Sequence, residues 1–226
     1  MTTADSFSNA VLNFYQNLNL NRRLPAGVSY MNPFLDKTAF DVTTRFYQTF
    51  YNDTNTRRVI LGINPGRFGG GITGIPFTDP INLELYCGID NNFQKKPELS
   101  STFIYMMIDA YGGAKKFYKD YFITALSPLG FIKDGKNLNY YDIPKLKTAV
   151  EPFVIDCLEK QLSMNIDRVR AYCLGEGENF KYLNSLNQKH NYFQEIIPLP
   201  HPRFIMQYKR KMLQEYIQRY VETLRA

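Results

Sequence analysis

Residues 59–66 read Val-Ile-Leu-Gly-Ile-Asn-Pro-Gly, and residues 67–79 continue as Arg-Phe-Gly-Gly-Gly-Ile-Thr-Gly-Ile-Pro-Phe-Thr-Asp. A short apolar run that ends in Asn64, Pro65 and Gly66 is typical of a buried strand followed by a turn. Six of the fourteen glycines of the chain lie in this stretch, and glycine lets the backbone approach another group closely. The stretch therefore predicts a strand leading into a binding loop, with a plain surface turn as the alternative.

Two phosphate-binding fingerprints fail at this loop. Residues 69–74 satisfy G-x-G-x-x-G, but Pro76 and Pro80 follow where that motif opens into a helix. Gly66 and Gly71 have the spacing of a P-loop, but Ile72 stands where its lysine would be. The prolines and Asn64 that bracket the loop favour a binding site of another kind over a mobile turn.

Four short apolar runs predict buried strands that alternate with helices. The predicted strands are Val59–Ile63, Tyr121–Leu126, Val169–Leu174 and Glu195–Leu199. Their nearly continuous apolar character favours central positions in a parallel sheet, and the alternation with helices predicts an α/β fold. Ligands of such sheets bind beyond the carboxyl ends of the strands. That rule selects the loops Asn64–Asp79, Ser127–Tyr141, Gly175–Phe180 and Pro200–Phe204.

The helical patterns between these runs have recognisable ends. Asp5 or Ser6 is placed to cap a first helix, and Pro144 to begin the helix that carries Pro152 as a predicted kink. The periodic segments are Asp36–Tyr51, Ser100–Ala110, the run from Pro144 to Leu162, and Ile205–Leu224, in which Met212 is expected to face inward.

Composition narrows the class of protein. The 226 residues fit one compact domain, with an N-terminal helical part over roughly residues 1–55. A net charge of +6 is compatible with a polyanionic partner. Cys87, Cys157 and Cys173 lack metal-ligand spacing, and only two histidines exist, so neither a metal site nor a disulfide framework is expected. The N-terminus does not resemble a signal peptide and no apolar run would span a bilayer, which predicts a cytoplasmic protein without a membrane partner.

Three ordered motifs carry a family resemblance. Residues 62–66 and 73–77 resemble the Gly-Met-Asn-Pro-Gly and Thr-Gly-Val-Pro-Phe segments of the uracil-DNA glycosylase superfamily, closest to its single-strand-selective monofunctional branch. Ser127-Pro128-Leu129, followed by residues 135–138, is similar to that branch's Cys-Pro-Leu and Gly-Arg-Asn-Leu stretch. Residues 200–203 resemble its final His-Pro-Ser-Pro-Arg motif. The resemblance implies a three-layer α/β/α sandwich around a mostly parallel four-stranded sheet.

The resemblance also implies roles for the matched residues. Asn64 would position the water that attacks the sugar C1′, and His201 would donate a hydrogen bond to the base carbonyl that gains charge. Phe77 would stack on the extruded base, and Asn137 would read its Watson–Crick edge. The backbone at Gly62, Ile63 and Gly66 would complete the base pocket. Independently of the resemblance, we expect DNA contacts from the basic residues Arg67, Arg203 and Lys209 and from Phe204 as an apolar wedge.

The motifs also depart from the family pattern. Arg67 replaces a proline, and Gly70-Gly71-Ile72 replaces Met-Ala-Gln. These changes are expected to alter the pocket wall, so hypoxanthine and xanthine stand beside uracil as expected substrates. The last motif lacks the Ser-Pro-Arg-Asn-Pro run and continues toward a helix, which leaves open how Arg203 and Phe204 would wedge a duplex.

These observations predict a monofunctional DNA repair glycosylase that flips a deaminated base out of DNA and leaves an abasic site. No lysine in the matched motifs is placed to form a Schiff base. The resemblance implies a monomer that acts at the bacterial nucleoid without cofactor, metal or obligate protein partner. The alternatives are a non-catalytic binder of damaged bases on the same fold, and a small-molecule hydrolase or nucleotide-binding protein.

Overall fold

The computed structural model describes residues 5–226. Residues 1–4, on which the prediction of no signal peptide partly rests, lie outside the described residues. The strands are β1 (Val28–Met31), β2 (Arg57–Gly62), β3 (Tyr121–Ala125), β4 (Gly130–Lys133), β5 (Lys136–Leu138), β6 (Ile166–Leu174) and β7 (Glu195–Leu199). The helices are α1 (Phe7–Gln16), α2 (Lys37–Phe50), α3 (Gly70–Thr73), α4 (Pro80–Cys87), α5 (Leu99–Tyr111), α6 (Ala114–Asp120), α7 (Pro144–Leu162), α8 (Glu178–His190), α9 (Pro202–Tyr208) and α10 (Leu213–Arg225).

The central sheet is parallel and has the order β3-β2-β6-β7. Val59 on β2 lies opposite Phe122 on β3 and Ala171 on β6, and all three side chains are buried. Strands buried along their whole length need helices on both faces of the sheet. Helices flank this sheet, so the predicted α/β fold with its four-stranded parallel sheet is confirmed.

Three strands differ in detail from the prediction. β6 begins at Ile166 instead of Val169; Ile166 is buried, whereas Val169 is 53% exposed. β3 and β7 lie at the two edges of the sheet, so the central positions expected for them are wrong. Pro198 on β7 fits an edge strand, because proline has no N–H to donate to a further strand.

The last predicted helix is broken. α9 begins at Pro202, three residues before the predicted start, because His201 serves as its N-cap. The chain leaves helical geometry at Lys209, passes through a 3-10 turn at Arg210–Met212, and resumes as α10. Met212, expected to face inward, lies in this turn and is 42% exposed. α7, in contrast, continues through Pro152 to Leu162.

Several elements lie inside segments that the sequence analysis treated as loops or left unassigned. β4 and β5 form a hairpin around Asp134 and Gly135, which pairs with β1 as a small antiparallel sheet. Asp-Gly between two strands is a recognised hairpin signal. α3 lies within the glycine loop, and α8 begins at Glu178 in the predicted loop after β6. Helices α4 and α6 were also not predicted.

Arg57 anchors the N-terminal helix to the sheet. Its side chain is fully buried, its guanidinium lies 4.7 Å from the ring centroids of both Phe7 and Tyr51, and it donates to both carboxylate oxygens of Asp53 at 2.9 Å. Its Nε donates to the carbonyl of Tyr118 at 2.8 Å. One buried cation thus joins α1, the chain before β2, and α6.

We expect Arg57→Ala to lower the free energy of unfolding by about 3 kcal/mol, because it removes a fully buried side chain and leaves the buried carbonyl of Tyr118 without its donor. Urea unfolding followed by circular dichroism measures this. Arg170→Ala is the matched control, since Arg170 pairs with the exposed Glu195 and should change the unfolding midpoint little. Equal effects of the two substitutions would contradict the anchoring role of Arg57.

Candidate active site

A cleft of about 610 Å³ opens at the carboxyl edge of the central sheet. It is lined by the segments that follow β2, β6 and β7, together with Thr124 and Ala125 at the end of β3 and residues from the β5 region. The chain leaves β2 toward β3 on one side and leaves β6 toward β7 on the other, so the carboxyl edge opens between the neighbouring strands β2 and β6. The cleft thus lies where the fold class predicts a ligand.

Asn64 lies just beyond the carboxyl end of β2, and both polar atoms of its side-chain amide form hydrogen bonds to the backbone. Its Nδ2 donates to the carbonyl of Leu138 at 3.1 Å, and its Oδ1 accepts from the backbone N–H of Tyr140 at 3.0 Å. A carbonyl oxygen has two lone pairs, so Oδ1 retains an acceptor site for a water molecule. The side chain is half-buried and lines the cleft.

Phe77 is held over the end of β2 in a left-handed backbone conformation with φ 55°. Such a conformation costs a bulky residue about 1–3 kcal/mol and needs support from its surroundings. Support comes from Thr73, whose hydroxyl donates to the carbonyl of Thr78 at 2.7 Å, and from the 3.0 Å hydrogen bond between the hydroxyls of Thr78 and Tyr105. The Phe77 ring lines the cleft.

Gly62 lies behind this ring and outside the cleft lining. A Cβ atom at Gly62 would stand 2.5 Å from Cζ of Phe77, too close for any side chain. Gly62 therefore contributes to the site indirectly, because it leaves room for the Phe77 ring. Ile63 and Gly66, the other predicted backbone contributors, line the cleft directly.

His201 faces Phe77 across the cleft, with 6.2 Å between the ring centroids. Its Nδ1 accepts a hydrogen bond from the N–H of Arg203 at 3.2 Å, so the proton of the neutral ring resides on Nε2. Burial, with a smaller contribution from the charge of Arg203, lowers the pKa of His201 to about 4. At neutral pH this side chain is an uncharged N–H donor.

Asn137 is brought to the cleft by the β4–β5 hairpin. Its Oδ1 accepts from the backbone N–H of Arg67 at 3.3 Å, which leaves its two Nδ2 hydrogens for the cleft. A Cβ atom at Gly66 would lie 3.4 Å from this Nδ2. Thus the lack of a side chain at Gly66 keeps the amide accessible.

The predicted DNA-contacting residues separate into two groups. Arg203 and Phe204 line the mouth of the cleft, and the Phe204 ring packs 5.6 Å from that of Tyr208. Arg67 and Lys209 lie outside the lining: Arg67 rests 4.8 Å from the Phe68 ring, and Lys209 is exposed after α9.

The glycine loop shapes the cleft less directly than the sequence predicts. Gly70 lines the cleft, whereas Gly71 and Ile72 lie outside the lining together with Arg67. A Cβ atom at Gly71 would stand 2.7 Å from the carbonyl oxygen of Gly66. The repeated glycines thus let the loop fold onto itself as α3.

Glu98 is the functional candidate that the sequence analysis missed. It precedes α5, lines the cleft, and places Oε1 3.3 Å from the position that a Gly66 Cβ would occupy. Burial and the nearby Asp79 raise its pKa to about 7, partly offset by Arg203. Glu98 belongs to none of the matched motifs, so only the fold reveals its place.

Within residues 5–226, no group of three or more His, Cys, Asp or Glu residues is arranged to hold a metal ion. Burial raises the pKa of Cys87 and of Cys173 to about 12, so both thiols remain protonated at neutral pH. No helix in the same range is long and apolar enough to cross a membrane.

The low pKa of His201 is directly measurable. We expect its imidazole resonances to titrate near pH 4 in an NMR series, with His190→Asn used to assign them. Because the unfolded chain takes up this proton near pH 6.5, His201 should make the folded state less stable as the pH falls from 6.5 toward 4. Titration of His201 near pH 6.5 would contradict the burial that lowers its pKa.

Comparisons with known proteins give a consistent result. The model of the family described as "Uracil DNA glycosylase superfamily" matches residues 48–225. The crystal structure of wild-type SMUG2 from Pedobacter heparinus is similar at a TM-score of 0.94 and 43% sequence identity, over 97% of each chain. A comparison with curated proteins yields no match.

Proposed function

The chain belongs to the uracil DNA glycosylase superfamily, and we propose that it removes uracil, hypoxanthine or xanthine from DNA and leaves an abasic site. It is a uracil-DNA glycosylase-type enzyme, a monofunctional hydrolase of N-glycosyl bonds. The observation that carries the proposal is the convergence of Asn64, Phe77, Asn137 and His201 on one cleft at the carboxyl edge of the sheet.

Base recognition starts with extrusion, because an enzyme cannot reach the glycosidic bond of a stacked base. The Phe77 ring offers the flat apolar surface on which the extruded base stacks. The free Nδ2 hydrogens of Asn137 donate to a carbonyl on the edge of the base. The support that Phe77 receives from Thr73, Thr78 and Tyr105 fixes this stacking surface before the base arrives.

Bond cleavage leaves negative charge on the departing base. A preorganised donor in a site that excludes water stabilises such charge, and losing one such donor costs about 10²–10³ in rate. The Nε2–H of His201 is this donor, and it donates from an uncharged ring at neutral pH.

The attacking water is oriented by Asn64. An amide is not a base, so Asn64 positions the water and does not deprotonate it. This suits a reaction in which the glycosidic bond is largely broken before the water bonds to the sugar C1′. The fixed amide, held by Leu138 and Tyr140, gives the water a constant position.

We expect Asn64→Ala and His201→Ala each to lower the single-turnover rate of base release by about 10²-fold or more. Labelled single- and double-stranded oligonucleotides carrying one uracil, hypoxanthine or xanthine are incubated with the enzyme, and alkali then cleaves abasic sites. Thermal unfolding checks that each variant is folded, and His190→Asn controls for loss of a histidine elsewhere. Wild-type rates in both variants would refute this mechanism, and tight DNA binding without abasic product would favour the non-catalytic binder.

DNA binding is proposed for the mouth of the cleft. The exposed Arg203 lines it, Lys209 follows at the end of α9, and the aromatic pair Phe204 and Tyr208 stands exposed beside it. Exposed aromatic rings stack on unpaired bases, and basic side chains near them bind phosphates. This arrangement fits a strand that is locally unpaired around the extruded base.

We expect Arg203→Ala and Lys209→Ala each to reduce the slope of log affinity against log salt concentration by about 1, because each removes one phosphate contact. Fluorescence anisotropy with a labelled single strand measures the slope. Lys160→Ala is the matched control, since Lys160 lies near the end of α7 and pairs with Asp156. A slope unchanged by all three substitutions would place the DNA on another face.

A further inference from the structure

Glu98 directs its carboxylate into the cleft instead of capping its own helix. It is the N-cap residue of α5, yet within residues 5–226 its side chain accepts no hydrogen bond from the first turn. The backbone N–H of Glu98 donates to Asp79 at 2.9 Å, which holds the residue in place while its side chain turns toward the glycine loop.

Two glycines make room for this carboxylate. A Cβ atom at Gly69 would lie 2.2 Å from Oε2 of Glu98, and one at Gly66 would lie 3.3 Å from Oε1. The carboxyl group thus occupies space that any other residue at position 69 would fill. Glycine at these two positions is matched to an acid at position 98.

The two neighbouring carboxylates differ in how they are satisfied. Asp79 accepts hydrogen bonds from the backbone N–H groups of Ile81, Asn82 and Glu98, and from the side chain of Asn82. In the described part of the chain, the oxygens of the half-buried Glu98 side chain have no such donor. Asp79 is structural, whereas Glu98 presents free acceptors to the cleft.

Glu98 and Asn137 together match one edge of a deaminated base. Oε1 of Glu98 and Nδ2 of Asn137 lie 3.3 and 3.4 Å from the same point beside Gly66. Deamination of cytosine or adenine converts a ring nitrogen from an acceptor into an N–H donor and places a carbonyl beside it. A protein site with an acceptor beside a donor is complementary to that edge. An undamaged base in the same site would place its acceptor ring nitrogen against the acceptor oxygen of the protein.

We propose that Glu98 is a specificity-determining residue that accepts a hydrogen bond from the ring N–H of the extruded base, while Asn137 donates to the adjacent carbonyl. The inference rests on the proposed function and deepens it. It assigns the recognition of deaminated bases to a pair of side chains from α5 and the β4–β5 hairpin.

The test is a cycle between a protein substitution and a base modification. Single-turnover rates are measured for wild type and Glu98→Ala on single strands carrying uracil or N3-methyluracil, in which a methyl group replaces the ring N–H. We expect Glu98→Ala to slow uracil release by about tenfold or more and to leave N3-methyluracil release unchanged or faster, because the interaction requires both partners. Glu215→Gln, an exposed acid on α10, is the control.

Glu98→Gln provides a second variant that preserves shape. Its amide oxygen still accepts a hydrogen bond but does not titrate. The groups that face Glu98 are Asp79, ahead of α4, and Arg203 on α9. Since the ionised carboxylate is a stronger acceptor than the neutral acid, wild-type kcat/KM for uracil should rise with pH through about 7, and this step should vanish in Glu98→Gln.

The outcomes separate the proposals. Equal slowing of both substrates by Glu98→Ala would place Glu98 at the water and overturn the base-reading role, as would wild-type rates in both variants. Absence of base release by the wild-type protein from every substrate would instead refute the proposed function. Loss of the preference for uracil over N3-methyluracil in Glu98→Ala, with the control unchanged, supports the inference.

Discussion

The close approach of the Phe77 ring to Gly62 is the constraint on which the site depends. The chain leaves β2 at Gly62, folds back through α3, and returns to place an aromatic ring on the strand it left. The ring fits only because Gly62 has no side chain, and the left-handed backbone at Phe77 is the strain that this return requires. Buried hydroxyls of Thr73, Thr78 and Tyr105 offset that strain, so the stacking surface is built into the core.

Asp79 extends the same constraint to the next helices. Its fully buried carboxylate caps α4 through Ile81 and Asn82 and accepts the N–H of Glu98 ahead of α5. One side chain therefore fixes the end of the glycine loop, the start of α4 and the place of Glu98. We expect its loss to disturb the cleft as a whole, since buried polar networks fail together when a member is removed.

Hydrophobic patterns and short motifs in the sequence predict those features that depend on neighbouring residues. The core strands are short apolar runs buried on both faces, so their sequence identifies them without tertiary knowledge. The motifs around Asn64 and His201 lie on loops at the carboxyl edge of the sheet, as expected, whereas Asn137, also expected on a loop, lies on β5. The break at Lys209 and the edge position of β7 depend on packing between distant segments. Glu98 depends on space left by Gly66 and Gly69, some thirty residues earlier, which no periodicity or motif records.

The electrostatics of the cleft follow from a division between its mouth and its interior. The charged side chains at the mouth, Arg203 with Glu176 and Glu178, are exposed, and water screens them. Inside the cleft, burial keeps His201 neutral and raises the pKa of Glu98 to about 7. A protonated histidine would stabilise the leaving base more strongly. At neutral pH, however, burial disfavours the charged ring, as the lowered pKa of His201 shows. The fold therefore favours a neutral donor at a fixed position, so stabilisation of the leaving base depends on geometry more than on net charge.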